Sequence, residues 1–131
     1  MKTATRRKHV GNVGESVAGE FLSSKGHRIL MRNYQKPWGE IDIITRKAGI
    51  IHFVEVKSIS RENIANVSQP TSDIYRAEEN MHPQKIARLQ RTIQTYIAEH
   101  SVEEDWQLDL VAVTMFIKDK KAECLLIENV L

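Results

Sequence analysis

Residues 39 to 57 read GEIDIITRKAGIIHFVEVK, two apolar runs on either side of a short RKAG turn, with charges set inside both. Their β-branched and aromatic content marks them as strands joined in a hairpin. Side chains alternate along a strand, so Val54 and Val56 share one face, while Ile51, Phe53, Glu55 and Lys57 share the other. Both faces therefore carry apolar groups, and the second strand is expected to be buried on both sides. Ionised groups in such a strand are costly unless something compensates them. Whatever this chain folds into must provide for Asp42, Glu55 and Lys57.

The neighbouring segments supply the rest of the framework. Val13, Val17, Ala18, Phe21 and Leu22 recur at helical spacing between Asn12 and Lys25, and Gly26 follows as a stop. Strand signals occupy 28 to 34, 39 to 45 and 50 to 58, which predicts three consecutive antiparallel strands. Residues 59 to 81 show no periodicity and are expected to form an irregular excursion. Pro83 suits the first turn of a second helix, whose apolar stripe is Ile86, Leu89, Ile93, Tyr96 and Ile97. Two further strands are expected at 106 to 114 and 122 to 129. The expected order is αβββ, excursion, αββ, in an α/β fold.

At 131 residues the chain suits one domain, spanning 1 to 131 with a basic tail over 1 to 10. Its charged fraction of 27% argues against a membrane protein, and no apolar run reaches the length of a bilayer span. A single cysteine, Cys124, fits a reducing compartment, so a cytoplasmic location is expected. The net charge of +2 is less than the four basic residues at positions 2 to 8, so the remainder is slightly acidic and charge alone does not indicate nucleic acid. The five histidines show no ligand spacing, and one cysteine argues against a zinc site. There is no glycine-rich phosphate loop and no GxSxG elbow.

A two-residue turn at Lys47 and Ala48 would set Asp42 opposite Phe53 and Glu40 opposite Glu55, gathering four charged groups on one face. A one-residue change at Gly49 would reverse that parity. Carboxylates so gathered either take up protons or are neutralised by a cation. Mg²⁺ and similar hard ions accept two carboxylates and a carbonyl while keeping several waters, and such ions activate water and offset charge on a phosphoryl oxygen. A lysine beside them can stabilise the same charge. Glu15 lies within about 20° of Leu22 on the first helix and can lean toward the site. Each feature also has a plainer reading. An isolated E-x-K is commonly a solvated pair, Glu15 suits a first helical turn, and the cluster as a whole could be a structural ion-pair network.

The segments GNVGESVAGEFL (11 to 22), RNY (32 to 34), GEIDII (39 to 44) and FVEVK (53 to 57) resemble the YraN-like family of small bacterial proteins. They also resemble the broader PD-(D/E)xK nuclease superfamily, above all its archaeal Holliday-junction-resolvase branch. The resemblance implies a restriction-endonuclease-like αβββαβ core, a mixed central sheet flanked by helices. It implies a metal-dependent DNA endonuclease using Mg²⁺ or Mn²⁺, with branched DNA among the candidate substrates. Asp42 and Glu55 match the metal-binding carboxylates, the Val56 carbonyl a further ligand, Lys57 the catalytic lysine and Glu15 the helix-borne glutamate. Glu40 belongs to the same GEID stretch, and Lys85 falls where the family has a lysine opening its second long helix. DNA is the implied partner, and resolvase-like relatives also suggest a homodimer.

Two family arginine positions hold Ile59 and Gln107 here. Lys85, Arg88 and Arg91 form a basic stripe on the second helix that could contact DNA in their place, although such a stripe is more often a solvated face. Trp38 could stack on a base or simply cover the sheet. The alternative to a nuclease is a non-catalytic DNA-binding or partner-binding module that keeps the framework.

Overall fold

The hairpin seen in the sequence is the centre of the sheet, but it turns one residue later than expected. The computed structural model describes residues 2–61 and 82–131. Its elements are α1 (Lys2–Ser24), β1 (Arg28–Lys36), β2 (Gly39–Lys47), β3 (Ile50–Arg61), α2 (Pro83–Glu99), β4 (Trp106–Phe116) and β5 (Lys121–Ile127). The strands lie side by side in the order β1-β2-β3-β4-β5, with β3 and β4 parallel and the other neighbours antiparallel. This is the α/β architecture expected, a mixed sheet flanked by two helices and consistent with a restriction-endonuclease-like core.

The β2–β3 loop is Ala48–Gly49, both with positive φ (51° and 75°), and Lys47 pairs with Ile50. Such φ values give a two-residue turn whose twist matches that of the strands. Ile44 therefore pairs with Phe53 and Ile43 with Val54, which corrects the register expected from a turn at Lys47 and Ala48. The slip is two residues, so parity is kept and Asp42 and Glu55 are not driven to opposite faces. Other boundaries also move. α1 begins at Lys2 rather than Asn12, so the basic tail lies within its first turns. β5 ends at Ile127. β3 runs on to Arg61 because Ile59, Ser60 and Arg61 pair with β4. The rest of the expected excursion, 62 to 81, lies outside the described residues.

One helix covers each face. On α1, Ala18 and Leu22 bury against Ile43, Val54, Val111 and Val113. On the other side Leu89, Ile93 and Tyr96 of α2 pack against Tyr34, Ile41, Ile44, Ile51, Phe53 and Leu108. The helical spacing of the apolar positions accounts for both interfaces. Pro83 opens α2, and His82 caps it by accepting the Gln84 amide at its Nδ1, 3.3 Å away.

Ile41 and Ile44 both face α2 although they are three residues apart. Strict alternation would put them on opposite faces, so β2 breaks its period between them. β1 breaks in step: Met31 pairs with Ile44, Tyr34 pairs with Ile41, and between them Asn33 adopts φ 53°. Asp42 sits inside this break.

Candidate functional site

Antiparallel pairing of β2 with β3 is recorded as far as Ile43 and Val54. Beyond it the Val56 amide donates to Asp42 Oδ2 at 2.8 Å, so a side chain takes the place of the backbone acceptor that a continued ladder would supply. Asp42, freed from regular alternation, reaches groups from both sides. Glu15 of α1 and Glu55 of β3 stand near enough for their charges to act on it.

Glu15 is brought in by a close approach of α1 to β3. A Cβ at Gly14 would stand 1.7 Å from Ser58 Oγ and 2.7 Å from Ser58 Cβ. Only glycine permits the helix to lie so near the strand. On the other side α2 also comes close at Gly39, where a Cβ would meet Thr92 Oγ1 at 2.6 Å. Lys85, in the first turn of α2, places Nζ 3.0 Å from Glu55 Oε1. Gly39, Glu40, Glu55, Lys85, Arg88 and Leu89 line a cleft of about 330 Å³ beside the carboxylates.

The electrostatics follow from burial. Asp42 is 7% exposed. Desolvation, then the charges of Glu55 and Glu15, push its pKa up to about 8, against the favourable Val56 hydrogen bond. Desolvation also raises Glu55, with Lys85 opposing it and Glu40 adding to it. Burial and mutual repulsion thus favour the protonated forms of Asp42 and Glu55, and a cation placed between them would offset both effects.

The expected residues are therefore distributed as follows. Glu15, Asp42 and Glu55 converge. The Val56 amide is drawn into the group as a donor. Lys57 lies two residues beyond Glu55 on β3 and is exposed. Glu40 is exposed and accepts from Gln35 Nε2 at 3.1 Å, outside the inner group. Lys85 is an ion-pair partner of Glu55 as well as a cation on the helix. The Arg91 guanidinium stacks 4.3 Å from the centre of the Trp38 ring, and Arg88 lines the cleft. Trp38 is thus a half-buried turn residue carrying an arginine on its face.

The sequence reading missed one group. His52 Nδ1 lies 2.7 Å from Asp109 Oδ2, and Glu128 stands beside them. These residues are far apart in the chain and show no ligand spacing; the parallel pairing of β3 with β4 joins His52 to Asp109, and the turn after β5 adds Glu128. The histidines show no ligand spacing along the chain, and His52 gains its acidic neighbours only in the fold.

Comparison with known proteins agrees with the motif-based resemblance. Residues 14–113 match the model of the uncharacterised protein family UPF0102. A UPF0102 protein of Helicobacter hepaticus is 35% identical over 123 residues, covering 94% of both chains. UPF0102 proteins of Campylobacter lari and Campylobacter fetus are 37% and 35% identical over 103 residues, which is 79% of this chain and 81% of theirs. On that coverage and identity, the chain belongs to the UPF0102 family.

Proposed function

We propose that this protein is a Mg²⁺- or Mn²⁺-dependent DNA endonuclease, with branched DNA a candidate substrate. The observation that carries the reading is that buried Asp42 of β2 lies between two further carboxylates, Glu15 of α1 and Glu55 of β3, whose charges both act on it. Packing that brings acidic groups together inside a core makes sense where an oxygen-seeking cation offsets their repulsion. Asp42 and Glu55 would hold the ion, with Glu15 and the Val56 carbonyl as further oxygen donors. Bound there, the ion supplies an electrophile for charge developing on a phosphoryl oxygen.

The chain's own residues supply the remaining functions. Lys57, exposed beside Glu55, can meet a scissile phosphate from solvent and stabilise its charge. Lys85 and Arg88 line the cleft next to Glu55, where the DNA backbone would approach. Arg91 offers a guanidinium whose orientation Trp38 fixes by stacking.

A panel of branched, flapped and linear DNAs incubated with Mn²⁺ tests the reading. Wild type should cleave at least one of them, Asp42→Ala none, and Lys57→Ala should be slower by about a hundredfold or more. Equal behaviour of all three proteins would remove the catalytic assignment. Calorimetric titration separates the alternative binding module: in that case Mn²⁺ uptake would not depend on Asp42 or Glu55, while DNA or a partner would still bind.

A further inference from the structure

On the α1 side of β3, three residues before Glu55, lies a second polar group with different chemistry. His52 is 4% exposed and Asp109 fully buried. Asp109 Oδ2 faces His52 Nδ1, and its Oδ1 accepts Gln107 Nε2 at 2.8 Å and the Asn129 amide at 2.9 Å. Asn129, at φ 55°, turns the chain after β5, and the Val130 amide then donates to the Leu108 carbonyl at 2.8 Å. This turn sets exposed Glu128 at the mouth of the buried pair. One ligand atom each from His52, Asp109 and Glu128 lie within 4.8 Å of one another.

A second observation points to a ligand. The ring of His27, itself 5% exposed, packs against His52 with centroids 4.7 Å apart. Its Nδ1 bonds Thr45 Oγ1 at 2.6 Å, while its buried Nε2 has no hydrogen-bond partner among the described residues. A buried nitrogen left unpartnered calls for an explanation.

We propose that His52, Asp109 and Glu128 bind a divalent transition-metal ion of the zinc class, with His27 beside it, and that the ion ties the segment after β5 to β3 and β4. Imidazole with carboxylates suits zinc, cobalt or nickel better than Mg²⁺. The surrounding contacts are those such a site requires. Gln107 and the Asn129 amide hold Asp109 through Oδ1 and leave Oδ2 for the ion. Ligation through Nδ1 uses the neutral tautomer of His52 that carries its proton on Nε2. Glu128 provides both the solvent-side ligand and the way in.

The test uses the full chain in an Asp42→Asn/Glu55→Gln background, so that the carboxylate cluster cannot account for uptake. Zn²⁺ is titrated in competition with a chromogenic chelator, and Co²⁺ is followed by its visible absorption. One equivalent should bind, and Zn²⁺ should raise the melting temperature. Glu128→Gln, a change at an exposed residue that leaves the buried pair intact, should weaken binding at least about tenfold. Asp109→Asn should weaken it further and Cys124→Ser leave it unchanged. Binding that is absent in this background, insensitive to Glu128→Gln, or lost in Cys124→Ser would overturn the proposal.

Discussion

Asp42 shows how much one residue can carry. Unfolded, it ionises near 3.8; folded, it holds its proton to about pH 8. The folded chain therefore binds a proton that the unfolded chain releases, and stability must fall as pH rises between those values. For one proton the slope is at most about 1.4 kcal/mol per pH unit. Below pH 4 both states are protonated and the penalty vanishes. Melting temperatures measured without metal should accordingly decline from pH 5 to pH 8, and Asp42→Asn, whose amide oxygen can still accept from Val56, should flatten most of that decline. An unchanged slope in the variant would show that Asp42 is not the responsible group. Lys85 makes the complementary case. It is the strongest opposition to the rise in Glu55, and the pair is only partly exposed, with side chains 37% and 14% accessible. Lys85→Met should cost about 1 kcal/mol at pH 7 and much less at pH 4, where Glu55 is protonated in both states; denaturant melts at the two pH values measure the difference.

Among the elements, two of the glycines of α1 have opposite meaning. Gly14 is pressed against Ser58, whereas a Cβ at Gly19 would meet nothing within 4 Å. Gly14→Ala should destabilise by about 1–3 kcal/mol and draw Glu15 away from Asp42, with Ser58→Gly restoring much of the loss in the double variant. Gly19→Ala should stabilise by about 0.5–1 kcal/mol through helix propensity. Chemical denaturation of the four proteins checks both signs. In the β2–β3 turn, Ala48 occupies a left-handed conformation better suited to asparagine or glycine. Ala48→Asn should add about 0.5–1 kcal/mol, read from the same unfolding curves. That alanine also explains the misplaced register: with Asn-Gly at 48 and 49, the turn would have been visible in the sequence. Helix faces and strand cores were legible because periods of 3.6 and 2 are local properties of the chain. The breaks at Asn33 and Asp42 were not, since each is a response to the paired strand.

Across the molecule, the two polar groups differ in how far they could be foreseen. Glu15, Asp42 and Glu55 lie within the first 55 residues, on elements recognisable one by one, and the motifs carrying the family resemblance contain all three. His52 and Asp109 meet because β3 and β4 align in parallel, and Glu128 joins them through the turn after β5, contacts that no local pattern announces. The same distinction governs stability. Residues 129 and 130 return to Asp109 and Leu108, so removing residues 129–131 should cost about 2–4 kcal/mol by freeing a buried carboxylate oxygen and uncovering apolar surface, which thermal melting would detect. The parallel junction between β3 and β4 has a kinetic corollary as well. Joining those strands requires a long stretch of chain to loop back, an entropic delay that the hairpin of β2 and β3 does not incur. During refolding, the acidic cluster should be complete while the histidine group is still waiting for its second half.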